Sequence, residues 1–212
     1  MLSIQELTEK NKIIPVVKIK NIRQAVPLAK ALYEGGIGCM EITFRTPDAA
    51  QAIRQVADEA AYMLVGAGTV TTKEQAEAAA DAGARFIVSP GFSEKVASFC
   101  KEKDILYLPG CVTPTEIMKA MEYGIQTVKF FPAQIYGGEK AIEALSAPFG
   151  NITFVPTGGI HLDNLKEYLR NPKILACGGS WMVKEKYLET EDFDSIRKEA
   201  KKASDTAKEV CG

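Results

Sequence analysis

Eight short runs rich in Val, Ile and Phe alternate with longer stretches whose apolar residues recur at helical spacing, and this pattern most narrows the folds open to the chain. The runs fall at residues 13–17, 37–43, 63–67, 86–89, 105–108, 127–131, 152–155 and 174–177. Amphipathic stretches such as 48–60 and 73–82 lie between them, with no linker or low-complexity break. Strands buried on both faces and joined by helical crossovers of about ten or more residues make a parallel sheet. Eight such βα units in 212 residues predict an α/β fold of one domain over 1–212, a compact (β/α)8 TIM barrel. The alternative is an open doubly wound sheet that binds a nucleotide at its switch point. Its glycine fingerprint is missing from the first strand-to-helix turn, Val17-Lys18-Ile19-Lys20-Asn21.

With 46% hydrophobic and 25% charged residues, a chain of this size buries about 70% of its unfolded surface and folds without staples. Twenty-six Lys and Arg against 27 Asp and Glu leave a net charge of -1, which argues against nucleic acid as a partner. No apolar run reaches the roughly 18 residues that span a bilayer, and Met1 to Glu6 lack a basic-then-apolar signal pattern, so no membrane partner and a cytoplasmic location are expected. Cys39, Cys100, Cys111, Cys177 and Cys211 form an odd set without a CxxC pair, which favours buried reduced thiols over disulfides or zinc.

Helix starts are signalled by Thr46-Pro47 and by Thr113-Pro114-Thr115-Glu116, the latter a capping box. Gly35, Gly83 and Gly124 mark helix stops. Pro27 falls inside the first expected helix, 21–34, and predicts a late start or a kink there.

In a barrel the chemistry sits where strands end and helices begin. Lys129 stands in Thr127-Val128-Lys129-Phe130-Phe131, a run otherwise built for burial; alternation puts Thr127, Lys129 and Phe131 on one side and Val128 and Phe130 on the other. If that side is the interior, desolvation favours a neutral amine, the nucleophile that Schiff-base chemistry on a ketone requires. The competing reading is a lysine snorkelling to water. Glu41 shares strand parity with Thr43 and Arg45. It is either the partner of a structural ion pair with Arg45 or a general acid/base beside Lys129, with Arg45 holding an anionic substrate.

Thr157-Gly158-Gly159 and Gly178-Gly179-Ser180 follow the last two runs, where backbone amides and the next helix's positive end would cradle a phosphate. Gly66-Ala67-Gly68-Thr69 ends the third run and brings Thr69 either to the mouth or into an ordinary loop. Ser89-Pro90-Gly91 and Pro109-Gly110 read as turns, Trp181 and Phe130-Phe131 as packing, and the Lys and Glu runs at 184–186 and 198–208 as solvated faces. His161, the single histidine, reads as a surface helix-start residue, and a metal site is not expected.

Glu41-Ile42-Thr43-Phe44-Arg45-Thr46-Pro47, Gly66-Ala67-Gly68-Thr69-Val70, Val128-Lys129-Phe130-Phe131-Pro132-Ala133, Pro156-Thr157-Gly158-Gly159-Ile160 and Gly178-Gly179-Ser180-Trp181-Met182 occur in that order. With them the chain resembles the KDPG aldolase family (2-dehydro-3-deoxy-phosphogluconate aldolase, 4-hydroxy-2-oxoglutarate aldolase) over about residues 10 to 205. The resemblance implies a class I aldolase, without cofactor, on a homotrimeric barrel. It implies that Lys129 forms the Schiff base and Glu41 relays protons. Arg45 and Thr69 would hold the pyruvate carboxylate, while Thr157, Gly158, Gly159, Gly179 and Ser180 would receive the phosphate of a 2-keto-3-deoxy sugar acid. The gluconate epimer, the galactonate epimer and unphosphorylated 4-hydroxy-2-oxoglutarate all stay open as substrates. Gln134 stands where many relatives carry an acid, and Phe44 where leucine is usual. A phosphosugar isomerase or epimerase and a non-catalytic phosphometabolite sensor are the rival readings; neither needs a buried lysine nucleophile. Lys18 stands at the end of the first run without a fixed counterpart in the family, and a phosphate-facing role is the one reading raised for it.

Overall fold

A computed structural model of the chain describes residues 2–10 and 12–211. In chain order the elements are α1 (Ile4–Lys10), β1 (Ile13–Val17), α2 (Ala25–Glu34), β2 (Cys39–Thr43), α3 (Ala49–Glu59), β3 (Leu64–Gly68) and α4 (Lys73–Asp81). There follow β4 (Phe86–Val88), α5 (Glu94–Lys103), β5 (Leu106–Leu108), α6 (Pro114–Glu122), β6 (Thr127–Phe130), α7 (Gly138–Ser146), β7 (Thr153–Pro156), α8 (Leu162–Leu169), β8 (Cys177–Gly179), α9 (Glu185–Glu189) and α10 (Phe193–Cys211). The alternation of strand and helix expected from the apolar runs is present, and the strand pairings are all parallel.

Six strands form one curled sheet in the order β5-β4-β3-β2-β1-β8, and β6 pairs with β7 in a second. Isolated parallel bridges join the two, Gly110 to Lys129 on one side, and Phe154 to Ile174 and Thr157 to Gly178 on the other. Side-chain parity divides the core into two clusters. Ile13, Val17, Met40, Ile42, Val128, Phe130 and Phe154 face the helices in the larger one. Ile14, Cys39, Phe86, Val88, Leu108 and Val155 point the other way, where Leu2 and Leu7 of the amino-terminal segment join them. Burying a side chain as completely as Leu7, 0% exposed, contributes about 1.5–3 kcal/mol, which anchors the short α1.

The punctuation signals succeed in part. Thr113 caps α6 through a complete capping box with Glu116 and Pro114 in the first turn. A 3-10 turn at Ile22–Gln24, capped by Asn21, precedes α2, so Pro27 falls in the first turn of the α-helix proper, where its missing N–H costs nothing. Gly83 and Gly124 adopt the left-handed conformation after their helices; at the end of α2 that role falls to Gly36, while Gly35 stays right-handed. Thr46-Pro47 does not start a helix. The helix begins at Ala49, Asp48 offers no side-chain cap, and the Thr46 hydroxyl is buried without a hydrogen-bond partner. The last strand is displaced from the apolar run at 174–177 to Cys177–Gly179, so Gly178 and Gly179 lie in the strand instead of after it.

Candidate active site

Glu41 and Lys129 lie on the face opposite the helix-packed residues of their own strands. Met40 and Ile42 flank Glu41, and Val128 and Phe130 flank Lys129, all buried in the larger cluster. Parity therefore turns both charged side chains inward. Glu41 is 3% exposed, Lys129 is 6% exposed, and Lys129 Nζ stands 3.6 Å from Glu41 Oε1. Of the two readings for Glu41, the geometry selects the lysine partner. Arg45 instead donates through Nε to the Thr43 hydroxyl at 3.1 Å, and Thr43 donates to the Val17 carbonyl at 2.9 Å.

The backbone around these groups is held from several sides. The Lys129 amide donates to the Pro109 carbonyl at 2.8 Å, and the Lys129 carbonyl accepts from Cys111 at 2.9 Å. Glu41 pairs in register with Val16 on one side and Gly66 on the other. Gly68 has to be glycine because a Cβ there would overlap the Glu41 carboxylate. Glu41 Oε1 has no hydrogen-bond partner among the described residues. A buried carboxylate oxygen left in that state costs free energy unless it is used. Beneath it, Cys39 is held as the neutral thiol, its pKa raised by burial first and then by the Glu41 charge.

A cavity of about 270 Å³ opens above the pair. All nine residues singled out from the sequence line it: Glu41, Arg45, Thr69, Lys129, Thr157, Gly158, Gly159, Gly179 and Ser180. Thr69 sits there in a left-handed conformation, φ 56°. Gly158 and Gly159 have φ values of 97° and 77°, which L side chains rarely adopt, and a Cβ at Gly159 would overlap Gln134. Gln134 supports the loop from below, donating through its amide to the Gly158 carbonyl at 3.0 Å and accepting at Oε1 from the Tyr168 hydroxyl at 3.0 Å.

Val16, Pro90, Phe131 and Ile160 also line the cavity. Phe131 was expected to pack in the core. It is 39% exposed, and its ring centre lies 5.3 Å from Lys129 Nζ. The signal was in the sequence, since Phe131 shares the parity of Lys129. Pro90, taken as turn punctuation, carried no such signal. His161 stands at the N-cap of α8, its side chain 54% exposed, as its position predicted. Among the described residues no three His, Cys, Asp or Glu side chains gather as a metal site, and no helix is long and apolar enough to cross a membrane.

Residues 4–199 match the aldolase family described as KDPG and KHG aldolase. The chain belongs to that family. It is 50% identical over 196 residues to the 2-dehydro-3-deoxy-phosphogluconate aldolase of Treponema pallidum (strain Nichols), covering 92% of this chain and 93% of that one. It is 41% identical over 206 residues to the KHG/KDPG aldolase of Escherichia coli (strain K12), covering 97% of each. Among solved structures, the KDPG aldolase of Legionella pneumophila with pyruvate captured at low pH as a covalent carbinolamine superposes with a TM-score of 0.89. That match has 36% identity and covers 92% of this chain and 95% of the other. Membership makes this chain a lyase of the aldolase type.

Proposed function

We propose that the chain is a class I aldolase that cleaves 2-dehydro-3-deoxy-6-phosphogluconate to pyruvate and glyceraldehyde 3-phosphate, with 4-hydroxy-2-oxoglutarate as a second substrate. The observation that carries this reading is the buried pair, Lys129 Nζ at 3.6 Å from Glu41 Oε1 on the floor of the cavity. The amine of Lys129 attacks the C2 ketone, and loss of water from the carbinolamine leaves an iminium. Glu41 takes the C4 hydroxyl proton as the C3–C4 bond breaks. The aldehyde leaves, and the bonding electrons move to the iminium as an enamine. Glu41 returns the proton to C3, and water releases pyruvate and free Lys129. One carboxylate serves as base and then as acid, since among the described residues Glu41 is the carboxylate that pairs with the amine and lines the same cavity.

Arg45 and Thr69 hold the carboxylate of the keto acid, Arg45 being oriented by Thr43. Gly158 and Gly159 just before α8, with Gly179 and Ser180 at the end of β8 and Thr157 beside them, hold the phosphate through backbone amides and the Ser180 hydroxyl. For the whole molecule we propose one domain in which the bridges at Gly110 and Gly178 complete a closed (β/α)8 ring, a homotrimer, and a cytoplasmic setting. Support for assembly comes from apolar side chains left in water, Ile135 at 80% and Met118 at 58% exposure among them. Support for a reducing compartment comes from the five free cysteines.

Borohydride added with pyruvate is expected to reduce the iminium and fix pyruvate on Lys129, read by peptide mass spectrometry. An unmodified Lys129 peptide overturns the assignment. The iminium on Lys129 supplies the electron sink, so pyruvate release is expected to be the same with and without chelator. Activity that survives Lys129→Ala would point instead to an isomerase or epimerase.

A further inference from the structure

A second cavity of about 620 Å³ adjoins the first, and the two share Val16, Arg45 and Ser180 in their walls. Its charged lining is mostly cationic: Lys18, Lys20, Arg45 and Lys184 against Glu185 and Glu189. These groups are not equally available. Lys20 is ion-paired with Glu185, and Arg45 is tied to Thr43. Lys184 lies over the Tyr187 ring, 5.7 Å from its centre. Lys18 forms no ion pair or hydrogen bond among the described residues, and its charge helps hold the Glu185 carboxyl below the usual carboxylate range, after the larger effect of Lys20.

Alternation along β1 places Lys18 on the site face. Ile13, Val17 and Ile19 are buried against the helices. Ile14 points into the smaller cluster and Val16 lines the reaction cavity. Lys18, one residue past β1, continues that inward series and is its first exposed member, after the half-buried Val16. The strands beside it are β8, paired through Pro15 and Gly179, and β2, paired through Val16 and Glu41. It therefore stands at the rim between Ser180 and Arg45.

Charge balance decides which end of the substrate it serves. The carboxylate, a single negative charge, already has Arg45. The phosphate carries close to two negative charges at neutral pH, yet the cradle formed by Gly158, Gly159, Gly179 and Ser180 offers only amides and a hydroxyl. We propose that Lys18 is a specificity-determining residue whose ammonium group grips the substrate phosphate at the rim between the two cavities and so favours phosphorylated over unphosphorylated keto acids. This rests on the aldolase reading above.

The test compares wild type, Lys18→Met and Lys18→Arg with 2-dehydro-3-deoxy-6-phosphogluconate and with 4-hydroxy-2-oxoglutarate. A hydrogen-bonded contact between charged groups supports a change of about 10- to 100-fold. KM for the phosphorylated substrate is expected to rise by that factor in Lys18→Met with kcat nearly constant, while KM for 4-hydroxy-2-oxoglutarate moves less than about threefold; Arg restores most of the loss. A parallel rise for both substrates, or no change for either, overturns the proposal. Binding of inorganic phosphate, followed by calorimetry, separates this idea from the reaction itself. Its Kd is expected to weaken about tenfold in Lys18→Met, and equal affinity in the two proteins overturns the proposal. A wild type that binds phosphate in this Lys18-dependent way but turns over neither substrate sinks the aldolase reading and leaves only the phosphate contact of Lys18 standing.

Discussion

Neutralising Glu41 without changing its shape isolates the proton-transfer steps from amine attack. Glu41→Gln keeps the volume over Gly68 and leaves Lys129 in place, so the borohydride-trapped adduct with pyruvate is expected to form still. Turnover is expected to fall by about 10²- to 10⁴-fold, the usual contribution of a positioned acid/base. Near wild-type turnover would remove Glu41 from the relay. The geometry also explains why the lysine alone was a stronger sequence signal than its partner. A single charge in an apolar strand is conspicuous, whereas Glu41 had Arg45 two rungs away on the same face and two partners to choose between. Only the curl of the sheets and the bridges between them, which no local spacing encodes, bring residue 129 to residue 41.

Among the elements, those specified by local chemistry were legible and those specified by tertiary contact were not. The capping box of α6 and the inward series of β6 are written in side chains. Thr113→Ala removes the hydroxyl that accepts from Glu116, so a loss of about 1 kcal/mol is expected, seen as a lower urea midpoint with unchanged slope. A midpoint within error of wild type would show that the Glu116 half of the box suffices. The last strand escaped because Gly178 and Gly179 have no side chains to make a pattern. The apolar run before them, with Ile174 making only an isolated bridge, drew attention to the wrong residues. The α3 start escaped because the Thr46 hydroxyl faces no amide at all. At the site, the glycine pairs were visible as composition, but which of their neighbours reach the cavity depended on the turn of the strand ends.

For the molecule as a whole, protons held in the interior set the alkaline limit. Burial pushes the Cys100 thiol from 9.0 up to about 12. Burial, aided by the Glu116 charge, does the same for Cys111. Burial also lifts Tyr107 from 10.0 to about 12, against a lowering hydrogen bond with Ser89. The folded chain keeps these protons while the unfolded chain gives them up, so the stability they represent is complete below about pH 9 and drains away as pH rises toward 12. Urea midpoints measured across that window are expected to fall, each group contributing up to roughly 1.4 kcal/mol per pH unit. A flat profile would mean that these groups meet water in the native state.

The seam between the six-stranded and two-stranded sheets passes through the peptide of Lys129 itself, bonded on one side to Pro109 and on the other to Cys111. The residue proposed as nucleophile is thus also the rivet. Any breathing of that joint is expected to tilt the amine away from Glu41, so activity is expected to fall on warming before the helical circular-dichroism signal does.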